Sequence, residues 1–239
     1  MVSSPVTVLV FDVFGTVVDW RTSIAREAKA LLAPYVDSID AYALADAWRK
    51  GYEPAMNRIR TGDRPFVILD VLHRENLDAA LRQCGIAAET VPTSILDNLN
   101  QAWHRLSGWP DSSEGLRRLK QRFLLAPLSN GNVRMMFDIA RSAHLSWDAI
   151  LGAEVARAYK PSPDVYLKAV EMMNVQPSQM CLVAAHNYDL DAARACGLRT
   201  AFIARPTEYG ENQRTDLVPT SDWDYVASDL IELAVVLGA

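Results

Sequence analysis

Cysteine is scarce in this chain, with three residues in 239, and Cys84, Cys181 and Cys196 are irregularly spaced. An odd, scattered set excludes a disulfide framework and a zinc-ligand pattern. Cys181 and Cys196 lie in apolar contexts and read as small buried hydrophobes. No apolar run is long enough to cross a bilayer. Lys/Arg clusters are also missing, and the net charge is −5, so neither a nucleic-acid surface nor an anionic-membrane surface is expected. The opening Met1–Pro5 lacks a basic stretch, and the apolar run behind it soon meets Asp12. A signal peptide is therefore not expected, and the expected compartment is the cytoplasm. Of only four histidines, His73, His104 and His144 fall in helical stretches without paired carboxylates or ligand spacing. They read as structural or solvated.

What the chain does have is a hydrophobic half, enough for one large core or one core with an insertion at about 150 residues per domain. The run Val6 to Phe11 is β-branched and apolar, as in a strand buried on both faces of a parallel sheet. It ends in Asp12, followed by Val13-Phe14-Gly15-Thr16. Open α/β sheets place their chemistry just beyond the carboxyl ends of their strands. Asp12 is accordingly a candidate nucleophile, with Gly15 allowing a sharp turn and Thr16 offering a hydroxyl to hold one carboxylate oxygen. The alternative is a strand-ending aspartate that only caps a turn.

After Trp20 the apolar spacing becomes helical. The pattern predicts helices through Ile24–Leu32 and Tyr42–Trp48, a kink or break at Gly51–Pro54 before Ala55–Arg60, a long amphipathic helix over Val67–Gln83 ending at Gly85, and one more over Thr93–Leu106. From Trp109 onward strands and helices alternate. Ser112 or Ser113 is expected to cap a helix, Phe123–Leu128, Ala149–Leu151, Met180–Ala184 and Thr200–Ile203 to form strands, and Pro163–Met173 and Asp189–Cys196 to form helices. This order predicts an α/β fold, a doubly wound parallel sheet with a Rossmann-like core (1–18 and 107–239), interrupted after its first strand by an all-helical cap (19–106).

Such a sheet gathers three further polar groups around Asp12. Ser129-Asn130 can bind a carboxylate or an oxyanion, or can simply make a turn. Lys160, between Tyr159 and Pro161, can keep Asp12 ionised, or can be a solvated lysine; Tyr166 follows on a face that can reach the same mouth. In Ala185-His186-Asn187-Tyr188-Asp189-Leu190-Asp191, either Asp189 or His186 can orient or deprotonate a water, while Asp189 and Asp191 can equally be acids at a helix N-terminus.

Taken in order, FDVFGT, LSNGN, YKPSPDVY and VAAHNYD resemble the motifs of the haloacid dehalogenase superfamily over nearly the whole chain. Phosphatases of that superfamily carry a second Asp two residues after the nucleophile, where this chain has Phe14, and a magnesium-binding acid pair where it has Ala184-Ala185. The pattern is closer to the L-2-haloacid dehalogenases (type II), which read Asp-x-(Tyr/Phe)-Gly-Thr and work without metal. The resemblance implies hydrolysis of short (S)-2-haloacids or haloacetates to 2-hydroxy acids through an aspartyl ester, with no cofactor. A superfamily phosphatase and a non-catalytic small-acid-binding member are the alternatives.

On that resemblance Asp12 is the nucleophile, and Thr16, Ser129, Asn130, Lys160, Tyr166 and Asp189 match positions that hold it, the substrate or water. Trp48-Arg49 is similar to the pair on the family's first large cap helix, whose arginine helps to bind substrate or receive halide. Phe14, Trp48 and Tyr188 are candidate walls. His186 departs from the pattern, since many relatives read Ser-Ser-Asn-x-x-Asp here. An imidazole at this place is expected to alter how water is held, or to fill the pocket and favour haloacetates, fluoroacetate included. Relatives are commonly dimers, and apolar cap helices would permit a homodimer.

Overall fold

The computed structural model describes residues 5–239; Met1–Ser4, where the signal-peptide reading begins, lie outside the described residues. Among the described residues eight strands form in chain order: β1 (Val8–Phe11), β2 (Val18–Asp19), β3 (Ser107–Gly108), β4 (Leu124–Ser129), β5 (Leu151–Gly152), β6 (Met180–Ala184), β7 (Arg199–Ile203) and β8 (Tyr225–Ala227). Six of them make one sheet in the order β5-β4-β1-β6-β7-β8, and every pairing in it is parallel. β1 and β6 are buried along their whole length, which is why both read as unbroken apolar runs. The chain winds from β1 out to β5, then crosses back to β6 and on to β8. β1 therefore lies in the middle, where the direction of winding reverses, and its carboxyl end opens into the crevice that this reversal creates.

Between β2 and β3 the chain is helical: α1 (Trp20–Leu32), α2 (Ala41–Lys50), α3 (Tyr52–Arg60), α4 (Leu69–Gln83) and α5 (Thr93–Asn100), with short 3₁₀ turns at Ala88–Thr90 and Gln101–His104. The first two start where an aspartate accepts a backbone N–H, Asp19 from Thr22 and Asp40 from Ala43, so one otherwise unpaired donor at each end is satisfied. Both ends of this helical stretch meet in a short antiparallel ladder, with Val18 opposite Gly108 and Asp19 opposite Ser107. The remaining helices are α6 (Ser112–Leu119), α7 (Val133–Ser142), α8 (Ala153–Ala156), α9 (Pro163–Met173), α10 (Asn187–Ala195) and α11 (Leu230–Val236). No described helix is long and apolar enough to cross a membrane.

Several expected boundaries move, each for a local reason. The break in the second helix falls at Gly51 itself, whose carbonyl accepts the Asn76 amide. Pro54 is accommodated in the first turn of α3, where a missing N–H costs nothing. Thr93–Leu106 is not one helix: α5 gives way to a 3₁₀ turn. The N-cap of α6 is Asp111 rather than a serine, because Ser112 Oγ donates to the Val17 carbonyl and Ser113 Oγ to that of His144.

Candidate active site

Asp12 directly follows β1, and its own N–H donates to the Val183 carbonyl (3.0 Å), which carries the β1–β6 ladder one residue further. The side chain is thus aimed from a rigid edge. Gly15 has φ +87°, a conformation only glycine takes cheaply, and it folds the following turn so that Thr16 comes back over the aspartate. Thr16 Oγ1 accepts from the Ala185 N–H (2.9 Å) and donates to Asp12 Oδ2 (2.8 Å). Accepting from the backbone commits the hydroxyl proton to the carboxylate.

The other oxygen, Oδ1, receives the Lys160 ammonium at 2.9 Å. Lys160 is 3% exposed and also contacts Asp189 Oδ2, while Asp189 Oδ1 accepts the Tyr166 hydroxyl at 2.5 Å. The lysine is a shared cation between two buried carboxylates. Burial favours the neutral form of Asp12, yet Lys160 and then His186 outweigh it and hold the carboxyl far below the usual range, so it is ionised. Burial, reinforced by the charge of Asp12, pushes Asp189 upward against Lys160 and Tyr166. Each oxygen of Asp189 thus has one donor, Lys160 on Oδ2 and Tyr166 on Oδ1.

His186 precedes α10 and is 3% exposed. Its Nδ1 lies 3.1 Å from Asp12 Oδ2 and its Nε2 lies 2.9 Å from Glu208 Oε2. Burial opposes its charge, but Glu208 and Asp12 raise it well above the ordinary imidazole range.

Arg49, at the end of α2, places its guanidinium carbon 3.9 Å from the Tyr52 ring centroid, 5.4 Å from that of Trp20 and 5.8 Å from that of Phe14. Its Nη1 is buried without a hydrogen-bond partner. A cation stacked on aromatic faces with a free donor is a receptor for an anion. Beside it opens a cavity of about 660 Å³ lined by Trp20, Arg49, Tyr52, Tyr188 and Tyr209 together with the rim residues Asp46, Lys50, Glu53 and Pro161.

The other expected site residues stand one row back. Trp48 is buried, donates Nε1 to the His73 carbonyl and packs on Trp103, and it is not a cavity wall. Phe14 is also absent from the walls, packing edge-on against Tyr52 and Trp103. Ser129 Oγ accepts the Gly131 N–H, and Asn130 Oδ1 accepts the Lys160 N–H. Tyr166 reaches Asp189 instead of the cavity.

Two features were not anticipated. The segment after β7 carries Arg205, bidentate on Asp111 (2.7 Å each) with Nε on the Thr16 carbonyl (2.9 Å), and then the 1% exposed Glu208. Both brace the turn at Gly15-Thr16. Their only sequence signal is their place past the carboxyl end of the strand at Thr200–Ile203, and Pro206 makes that stretch read as a turn. The reading of His104 as free of carboxylates is corrected: its ring bridges Asp138 (2.9 Å) on α7 and Asp70 (3.0 Å) on α4. These partners are far apart in sequence, so no local spacing reveals them. Among the described residues, no group of three or more His, Cys, Asp or Glu side chains is arranged to hold a metal ion.

A buried carboxylate at the end of the central strand, sharing a lysine with a second acid, and a helical excursion after the first strand together fit a class of hydrolase. The chain belongs to the haloacid dehalogenase-like hydrolase family, whose model matches residues 6–197. It is 32% identical to (S)-2-haloacid dehalogenase 1 of Pseudomonas sp. (strain CBS-3), over 86% of this chain and 88% of that one. It is 31% identical to (S)-2-haloacid dehalogenase 4A of Burkholderia cepacia, over 84% and 85%. A solved defluorinating L-2-haloacid dehalogenase superposes with a TM-score of 0.95 at 47% identity, covering 98% of this chain and 96% of its own.

Proposed function

We propose that this protein is a hydrolytic dehalogenase that converts short (S)-2-haloacids or haloacetates to 2-hydroxy acids and halide. The observation that carries the reading is the state of Asp12: a buried, ionised carboxylate at the strand end with Lys160, Thr16 and His186 on it. Oδ2 has two donors and Oδ1 one, so Oδ1 has the freer lone pair for in-line attack on the carbon bearing the halogen. Attack forms the Oδ1–carbon bond as the carbon–halogen bond breaks with inversion. Water then adds to Asp12 Cγ, the Cγ–Oδ1 bond breaks, and the product hydroxyl keeps the aspartate's original oxygen.

Arg49, with its free donor in an aromatic cage, is suited to the substrate carboxylate or the departing halide. Desolvation sharpens a carboxylate that water would blunt, and the helical stretch 19–106, acting as a cap, supplies the aromatic walls that exclude solvent. His186 lies 3.1 Å from the nucleophile, and this crowding favours small substrates, fluoroacetate among them. A magnesium-dependent phosphatase fits the residues poorly. Phe14 and Ala185 stand where its second and third acids are needed, and the Asp12 oxygens face donors suited to a lone anion.

Halide release from a panel of resolved 2-chloro, 2-bromo and fluoro acids tests the reading. Wild-type protein is expected to release halide in the presence of EDTA and to prefer the (S) enantiomers, and Asp12→Asn to lose turnover by at least about 10³-fold. Full turnover in Asp12→Asn, or a strict magnesium requirement, would overturn it.

A further inference from the structure

Glu208 belongs to none of the four motifs, yet it is more deeply buried than the nucleophile. Its Oε1 accepts the Trp20 indole N–H (2.9 Å) and its Oε2 faces His186 Nε2 (2.9 Å). It packs so closely on Gly15 that a Cβ there would lie 2.1 Å from Oε1. No lysine or arginine pairs with it among the described residues. Imidazole thus sits between two carboxylates, Asp12 on Nδ1 and Glu208 on Nε2. Ionised carboxylates only accept hydrogen bonds, so the resting geometry needs a proton on both ring nitrogens. The ring is the one counter-ion that Glu208 touches.

Forming the ester on Asp12 removes one of those two anions. We propose that ester formation converts His186 from a cation bound between two carboxylates into the base that activates the hydrolytic water, with Glu208 as the positioning residue that keeps Nε2 protonated and Nδ1 aimed at the ester. The proposal rests on the dehalogenase reading above. In the first half-reaction halide departs, and the Nδ1 proton goes to solvent. In the second, water adds to Asp12 Cγ while Nδ1 takes one of its protons. As the Cγ–Oδ1 bond breaks, the second water-derived proton ends on the product alkoxide, and the regenerated pair is again carboxylate and imidazolium. The sum is haloacid plus water giving hydroxy acid, halide and one proton.

The other groups around the ring leave this step to His186. Partial desolvation of their hydroxyls, with the charges of Asp189 and Glu208 beside them, raises the phenols of Tyr188, whose ring centroid is 5.7 Å away, and of Tyr209, although both rings are exposed at the cavity, so both stay neutral. Lys160 on the far oxygen of Asp12 is raised despite burial by Asp12 and Asp189, and its contact with Asp189 remains when Asp12 is esterified; Arg49 across the cavity is raised as well and stays charged.

Stopped-flow single turnover with (S)-2-chloropropionate and a pH indicator tests the timing. In the wild type one proton is expected to appear with the halide, ahead of the hydroxy acid. In Glu208→Gln ester hydrolysis should slow about 10²-fold more than the halide burst does, the lower end for loss of general-base assistance. The ester should then accumulate as a mass adduct on the peptide carrying Asp12. The alkaline-rising limb of the hydrolysis rate should move to lower pH in this variant, because a neutral amide no longer supports the imidazolium, and Glu208→Asp should restore part of the rate. A proton that appears only with the hydroxy acid overturns the proposal, and this measurement needs no variant to fold. Equal slowing of burst and hydrolysis in Glu208→Gln also overturns it. A wild type that releases no halide from any haloacid would instead remove the dehalogenase reading itself.

Discussion

Replacing Lys160 by methionine keeps most of the side-chain volume and removes the charge that Asp12 and Asp189 share. The ammonium lies 2.9 Å from Asp12 Oδ1 and is 3% exposed, with Asp189 fully buried. At an effective dielectric constant near 20, a pair at this distance is worth roughly 6 kcal/mol before the desolvation of the lysine is subtracted. Removing one partner of a buried pair costs about 3–5 kcal/mol, a large part of a typical total stability of about 5–15 kcal/mol. The protein is expected to fold but to be weakened, and the loss should depend on pH. The depressed carboxyl of Asp12 contributes stability that is present above the unfolded value of about 3.9 and is lost as pH falls through the folded value. Without Lys160 the carboxyls of both aspartates rise, so the deficit should grow from pH 5 to pH 8. Urea denaturation at several pH values measures it. Adding Asp189→Asn should recover about 1–3 kcal/mol, because one unpaired buried charge disappears. Halide release should fall about 10²–10³-fold in the single variant. A deficit under about 1 kcal/mol that ignores pH, or a double variant no better than the single one, would refute the shared-cation argument.

Gly15→Ala places a Cβ at φ +87° and against Glu208. The backbone penalty alone is about 1–2 kcal/mol, or roughly 2–8 °C in melting temperature for a chain of this size; an unchanged melt would contradict the contact. His104 is held above the ordinary imidazole range by Asp70 and Asp138, which outweigh its burial. A raised group stabilises fully below its unfolded value, about 6.5, and loses that contribution as pH rises through its folded value. Thermal melts of wild type and His104→Gln should therefore differ most below pH 6 and converge in alkali, whereas a constant gap would remove the charge assigned to His104.

Much of the sheet was legible because buried parallel strands declare themselves as apolar runs. The bounds expected for Met180–Ala184 are those observed, and the helical interruption after the first strand follows from its change of period. β8 was missed because it is three residues long and shows Val226 to solvent, leaving no run to read. In the site, Asp12 and His186 follow strand ends, Asp189 lies in the first turn of α10 and Lys160 beyond α8, and the structure brings their side chains within hydrogen-bond range of one another as a chain of contacts. Glu208 was hidden because Arg205-Pro206-Thr207 reads as an ordinary turn. The absence of Trp48 and Phe14 from the cavity walls was equally invisible: helical spacing tells that a side chain is buried, and tertiary packing decides what it is buried against.

The ladder of Val18 and Asp19 with Ser107 and Gly108 means that the helical stretch departs and returns through one doorway. Because its ends are pinned side by side, lengthening that excursion costs closure entropy only logarithmically, about 0.6 kcal/mol per doubling. The sheet that carries Asp12 need not register the change. Selection can therefore redraw the helical walls of the cavity while the buried carboxylate stays on an unaltered floor.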